Sequence, residues 1–144
     1  MVSIETALQG WIVVVVDDEP DSLEVATVLL EMYGAVVLAA SDGQAGYELI
    51  RNTRPHLIIS DLSMPNMTGW QMLDQLKSGD RPIAEIPVIA LTAHAMEQDR
   101  RRAIAAGFHN FISKPLAPKT FVQEIIGILA VDRPELRPYL EAID

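Results

Sequence analysis

The stretch Leu57-Ile58-Ile59-Ser60-Asp61-Leu62-Ser63-Met64-Pro65-Asn66-Met67-Thr68-Gly69 organises the chain. An apolar run of strand length delivers one acidic residue, Asp61, at its end, and a loop containing Pro65 and Gly69 follows before the next helical pattern. The other segments are read by what they bring to Asp61.

Upstream, residues 11–16 are continuously apolar and largely β-branched, the pattern of a central parallel strand buried on both faces. They end in Asp17-Asp18-Glu19-Pro20. Pro20 suits a first helical turn, and the acidic residues suit its positive end. Residues 21–33 read as a helix with Leu23, Ala26 and Leu30 on one stripe, widened by Val25, Val28, Leu29 and Met32, and Gly34 stops it. A second strand is predicted over 35–39, and Ser41-Asp42-Gly43 leads into a helix carrying Ala45, Tyr47, Leu49 and Ile50 that ends before Pro55.

After the strand 57–60 comes a helix over 69–77 with Met72, Leu73 and Leu76 inward, then a surface loop over 78–82. A fourth strand, 88–91, is closed by Thr92; a helix over 97–106 is stopped by Gly107; a fifth strand spans 108–113 and runs up to Lys114. A last helix, 119–130, carries Phe121, Val122, Ile125, Ile126 and Leu129. Residues 1–10 read as a loosely ordered arm, 11–130 as the domain, and 131–144, with Pro134 and Pro138, as a tail with room for a short helix but not for an output domain.

Strand and helix alternating five times call for a three-layer α/β fold, a parallel sheet with right-handed crossovers and helices on both faces. The working site of such a sheet lies beyond the carboxyl ends of its strands, where strand order reverses. The residues just past the apolar runs are Asp17 and Asp18, Asp61, Thr92 and Lys114. Carboxylates, a hydroxyl and an ammonium therefore converge on one edge.

Composition limits the partners. The 144 residues are 49% hydrophobic and 22% charged, which describes a folded domain with one core. A net charge of -9 argues against nucleic acid or an anionic membrane as the main partner and favours an acidic cleft that attracts a cation. The absence of cysteine removes disulfides and thiolate zinc sites. The short apolar run at 11–16 is neither a signal core nor a membrane span, so the expectation is a cytoplasmic protein.

Clustered carboxylates are costly unless a hard divalent cation cancels their repulsion, which points to Mg²⁺, with Mn²⁺ as the alternative. A carboxylate can also attack phosphorus to give an acyl phosphate when the charge on the phosphoryl oxygens is neutralised. Mg²⁺, Lys114, Thr92 and backbone N–H groups would supply that neutralisation.

With Asp17-Asp18 after the first strand, Asp61 followed by Met64-Pro65-Asn66-Met67-Thr68-Gly69, Leu91-Thr92-Ala93 and Lys114-Pro115, the chain resembles the receiver domains of bacterial two-component response regulators. Each motif is weak alone, but four in order make a specific set. The resemblance implies a flavodoxin-like sheet in the order 2-1-3-4-5 with five helices. It implies Asp61 as phosphoacceptor, Asp18 as a direct and Asp17 as a water-mediated Mg²⁺ ligand, and the backbone carbonyl of Ser63 as a further ligand. Thr92, the Ala93 N–H and Lys114 would contact the phosphoryl oxygens, with Lys114 paired to Asp61 in the absence of phosphate.

Phe111 stands where the family has its rotating aromatic, so movement of Thr92 would let the ring turn inward; lacking a hydroxyl, it would act by burial. Lys114-Pro115 is expected to be cis. Ser63 and His94 stand at positions that tune phosphate lifetime. The implied partners are a histidine kinase or histidine phosphotransfer protein and a downstream effector, without direct nucleic-acid contact. The face made by helix 97–106, the fifth strand and the last helix is offered for a homodimer that no residue pattern compels.

Simpler readings stand beside these. Paired aspartates before a helix are by themselves more often caps than ligands, Thr92 alone a cap, and Lys114 alone a surface charge. Phe111 reads equally as a core aromatic, His94 and His109 as ordinary polar residues, Arg100-Arg101-Arg102 as a solvated helix face, and Trp70 as packing. Two other functions compete. A haloacid-dehalogenase-type phosphatase needs an Asp-x-Asp pattern after its first strand and a cap, and Asp61-Leu62-Ser63 fails the pattern. A degenerate receiver acting only as a binding module would lack phosphorylation residues that are all present here. The switch would catalyse only its own phosphorylation and dephosphorylation, and would either act alone or belong to a hybrid kinase or longer regulator.

Overall fold

The apolar runs become five strands: β1 (Ile12–Val16), β2 (Val36–Ala40), β3 (Leu57–Asp61), β4 (Val88–Thr92) and β5 (Asn110–Ser113). In the computed structural model, which describes residues 4–93 and 96–141, they pair in parallel in the order β2-β1-β3-β4-β5. The register sets Val13 beside Leu57, Ile58 beside Val88 and Ala90 beside Phe111. Strand order reverses between β1 and β3, and the two strands that carry Asp17 and Asp61 at their ends are therefore neighbours.

The continuous apolar runs follow from burial on both faces. On one face Val13, Val15, Leu57, Ile59, Ile89 and Leu91 pack under α1 (Pro20–Met32) and α6 (Phe121–Ala130), which contribute Ala26, Leu29, Leu30, Phe121, Ile125 and Leu129. On the other, Val14, Val16, Ile58, Val88 and Ala90 pack under α2 (Gly43–Thr53), α3 (Gly69–Lys77) and α5 (Glu97–Ala106), through Ile50, Met72, Leu73, Leu76 and Ala103. Successive strand residues point to opposite faces, so a strand covered on both sides has no polar positions to spare.

Several expectations change. The described residues contain seven α-helices rather than five. α4 (Arg81–Ala84) begins in the stretch 78–82 read as a surface loop and runs past it, with Pro82 in its first turn and Ile83 buried. α7 (Arg137–Glu141) follows a 3-10 turn at Pro134–Leu136 that buries Leu136 in the core. Val25, Val28 and Met32, expected to widen the buried stripe of α1, are 38%, 49% and 64% exposed. The helix rests on β1 and β2 with its Ala26-Leu29-Leu30 side, and these three residues lie a quarter turn or more round from that stripe. Ala45 is likewise exposed, while Gly43, Gly46 and Ile50 form the buried line of α2.

Residues 4–10 are not a loose arm. Ile4–Thr6 form a 3-10 turn, Leu8 donates its N–H to the carbonyl of Tyr33 at 3.1 Å, and Ala7 and Leu8 are buried in the same core as α1 and Leu136. Sequence periodicity over so short a segment carries no signal, whereas the sheet's lower end leaves an apolar surface for it to cover. Leu8→Ala is expected to cost about 2–5 kcal/mol of stability, measured by urea unfolding; a cost below ~0.5 kcal/mol would mean that the segment does not contribute to the core.

Candidate functional site

β1 and β3 end in the two buried acids. Asp17 is fully buried; its N–H still joins the sheet by donating to Ala40 O at 3.1 Å, and its Oδ1 accepts the N–H of Glu19 at 3.0 Å. Asp61 is 7% exposed and its Oδ1 faces the Ser63 N–H at 3.4 Å. The loop after it closes tightly: the Gly69 N–H donates to Leu62 O at 3.0 Å, and a Cβ at Gly69 would overlap the carbonyl oxygen of Asp61. Thr68 then starts α3 with a capping box, accepting from the Gln71 N–H at 3.2 Å while Gln71 Oε1 accepts from the Thr68 N–H at 2.9 Å.

Lys114 comes from the end of β5, where its N–H donates to Thr92 O at 2.8 Å and its bond to Pro115 is cis. Its ammonium donates to Asp17 Oδ1 at 3.2 Å, Glu19 Oε1 at 2.8 Å and Asp61 Oδ2 at 3.2 Å. Asp17 Oδ2 lies 2.9 Å from the same nitrogen but makes no aligned hydrogen bond, which leaves one buried carboxylate oxygen unsatisfied. Oxygens of Asp17, Glu19 and Asp61 lie within 4.8 Å of one another. One ammonium against three carboxylates leaves a net negative pocket. The orphaned buried oxygen and the all-oxygen donor set fit a hard divalent cation.

Electrostatics follow from this geometry. Burial pushes the Asp61 carboxyl up to about 6; the Lys114 charge opposes that rise and the neighbouring Asp17 charge adds to it. Burial works to lower the Lys114 ammonium but is outweighed by hydrogen bonds to Glu19 and Asp17 and by the fields of Asp17 and Asp61, so its pKa rises.

Of the residues singled out from sequence, Asp17, Asp61 and Lys114 meet in this cluster, and Thr92 is buried at the end of β4 beside the Lys114 strand. Asp18 is exposed and its carboxylate is not among the three that converge. Glu19, read only as an acid at a helix start, stands there instead. Asp17 still occupies a ladder position, and residues i and i+2 of an extended chain share a side, which sets the exposed Glu19 on the Asp17 side of the chain, over Lys114. The sequence carries no signal for it, because the alternation depends on Asp17 still pairing with Ala40.

Ser63 and Ala93 are exposed at the rim, and His94 lies outside the described residues. Phe111 is half-buried against the core beneath α5 and lines a groove of about 840 Å³ with Arg100, His109, Glu124 and Ile128. His109 pairs with Asp132 at 3.3 Å, and His56 Nδ1 accepts the Ile12 N–H at 2.9 Å, both away from the acid cluster. Trp70 packs edge-on against Phe108 at 5.4 Å under the Arg102 guanidinium at 4.4 Å, so Arg102 is not simply a solvated charge.

Residues 13–126 match the family model described as the response regulator receiver domain. The chain is 32% identical to PilH of Pseudomonas aeruginosa, with 82% of this chain and 97% of that protein covered. It is also 32% identical to the sensor histidine kinase GacS of Pseudomonas protegens, where the match takes in 92% of this chain but only 16% of the kinase. The structure of the chemotaxis response regulator CheY4 of Vibrio cholerae superposes with a TM-score of 0.78 at 25% identity, covering 83% of this chain and 98% of that one.

The raised Asp61 pKa has a testable sign. Because the folded protein holds the Asp61 proton more tightly than the unfolded chain, this group's contribution to stability falls as pH rises from roughly 4, the unfolded value, to about 6. With divalent cations chelated, Asp61→Asn is therefore expected to stabilise the protein by about 1–3 kcal/mol at neutral pH. The difference should fade below roughly pH 4, as followed by thermal unfolding. An advantage for Asp61→Asn that does not change with pH would contradict the assignment.

Proposed function

The chain belongs to the response regulator receiver domain family of two-component signalling, and from that premise we propose that it is a phosphorylation-controlled switch with Asp61 as phosphoacceptor. The observation that carries this is the sharing of one ammonium, Lys114, between the buried carboxylates of Asp61 and Asp17 while an oxygen of Asp17 stays unsatisfied. Asp61 titrates at about 6 and is therefore mainly ionised at neutral pH, as a nucleophile must be.

Asp17 and Asp61 would hold Mg²⁺ or Mn²⁺ with the Ser63 carbonyl, and Asp18, exposed beside them, would complete the set by turning inward. When bound, the ion supplies positive charge against the phosphoryl oxygens. Asp61 attacks phosphorus from its fixed place at the end of β3. Lys114, the Thr92 hydroxyl and the Ala93 N–H, at the ends of β5 and β4, receive the charge that builds on the phosphoryl group. Phe111, half-buried on β5 beside the groove, then passes the change to a partner surface, with Ser63 and His94 tuning the lifetime of the modification.

The phosphodonor is a histidine kinase or histidine phosphotransfer protein, and the output is altered binding of an effector, without direct nucleic-acid contact and without turnover of any other substrate. Copies of the chain would pair through α5, β5 and α6. Among the described residues no helix is long and apolar enough to cross a membrane; the proposed place of action is the cytoplasm. A second reading, a receiver segment of a longer kinase, is favoured by the match to GacS, of which the chain spans 16%.

Incubation with a small-molecule phosphodonor with and without Mg²⁺ should give a single phosphoryl adduct by intact mass that requires the ion and is absent in Asp61→Asn. Neither an adduct nor a stable beryllofluoride complex on the wild-type chain would leave a binding module as the function.

A further inference from the structure

Glu19 occupies the residue that caps α1, yet its side chain accepts no hydrogen bond from the helix. It spends its carboxylate on Lys114 instead, at 2.8 Å, shorter than the 3.2 Å from Lys114 to Asp61. The Glu19 side chain is 62% exposed, whereas those of Lys114, Asp17 and Asp61 are 8%, 0% and 9% exposed. Glu19 thus reaches over the ammonium from the solvent side while the two aspartates grip it from within.

A lysine ammonium has three N–H donors, and here they are all engaged, by Asp17, Glu19 and Asp61. A phosphoryl oxygen can gain Lys114 only if one of these acceptors lets go. Asp17 and Asp61 are buried beside the ammonium and would stay against it whether or not a cation is bound, since neither can take up water in its place. Glu19 alone regains water on release. Resting on the phosphoacceptor reading of Asp61, we propose that Glu19 is a positioning residue: it holds Lys114 in an ion pair that the incoming phosphoryl group must replace, and so sets how readily anionic phosphodonors react. As the bond from Asp61 Oδ to phosphorus forms, the bond from phosphorus to the leaving group breaks and its electron pair departs with that group. One Lys114 N–H swings from Glu19 Oε1 to a phosphoryl oxygen.

Two properties distinguish this role from a structural one. Removing the Glu19 charge helps a donor in proportion to that donor's negative charge, and salt screens the effect because Glu19 is exposed. The test compares wild type, Glu19→Gln and Glu19→Asp at saturating Mg²⁺, with acetyl phosphate, a dianion, and phosphoramidate, which carries one negative charge fewer. Adduct formation is followed by intact mass at low and high salt, and Mg²⁺ affinity by calorimetry. Glu19→Gln should react with acetyl phosphate roughly two- to fivefold faster, the range an exposed ion pair supports. It should gain less with phosphoramidate, lose its advantage at high salt and keep the wild-type Mg²⁺ affinity, while Glu19→Asp returns toward wild type. An unchanged Glu19→Gln, an equal gain with both donors, or a slower reaction with weakened Mg²⁺ binding would overturn the role; the last would make Glu19 a metal ligand. A wild-type chain that forms no adduct would overturn the phosphoacceptor reading and this inference together, whereas adduct on the wild type with no donor-dependent change overturns the inference alone.

Discussion

One ammonium holds three carboxylates at the carboxyl end of the sheet, and the rest of the structure serves that contact. Asp17 is fully buried and Asp61 nearly so, and oxygens of these two and of Glu19 come within 4.8 Å. Such a group of like charges is stable only with a partner in place; stripping the counter-charge from a buried acid costs about 3–5 kcal/mol. Lys114 is that partner, and it ties the end of β5 to those of β1 and β3. The balance is incomplete, since one ammonium faces three carboxylates and an oxygen of Asp17 makes an ion pair without an aligned hydrogen bond. A site left short of positive charge is prepared to take more of it, and the same shortage raises the Asp61 pKa and gives the Lys114 ammonium several acceptors.

The fold keeps these groups in register through backbone contacts rather than through the charges themselves. β1 and β3 are adjacent, with Val16 beside Ser60, so the residues that follow each strand are delivered side by side. Lys114 is placed by its own N–H on Thr92 O, which also couples the hydroxyl-bearing end of β4 to the lysine. The loop from Leu62 to Thr68 turns back so closely that Gly69 has no room for a Cβ against the Asp61 carbonyl. Away from this edge the sheet is less constrained. β2 leaves Val36 54% exposed, and β5 carries the half-buried Phe111 beside an open groove. A tight site next to an incompletely covered edge strand is the arrangement in which a small change of charge can alter a surface.

The parts legible in the sequence were those with a strong local signature. The apolar runs of β1, β3 and β4 read as strands because burial on both faces leaves few polar positions, and Gly107 ended its helix where the backbone turns to φ 116°. The chain elements at either end were not legible. Ala7, Leu8 and Leu136 are core residues, but each lies in a segment too short to show a period, and what buries them is the exposed lower end of α1 and α6. The breadth of the apolar stripe on α1 misled in the opposite sense. Val25 and Val28 are hydrophobic without being buried, because the helix covers the sheet with one narrow side.

Sequence alone determined the strand-helix alternation, the parallel sheet and the identities of Asp17, Asp61, Thr92 and Lys114 at the strand ends, because period and position depend on local order along the chain. Tertiary structure decided which acids meet. Asp18 and Glu19 are neighbours in the sequence and equal in charge, and only the continued pairing of Asp17 with Ala40 turns one outward and the other onto Lys114. The partnership of Lys114 with residues 97, 95 and 53 positions away likewise exists only once the sheet has closed. Electrostatic interactions between side chains depend on distances of a few ångströms in space, and no spacing along the chain records them.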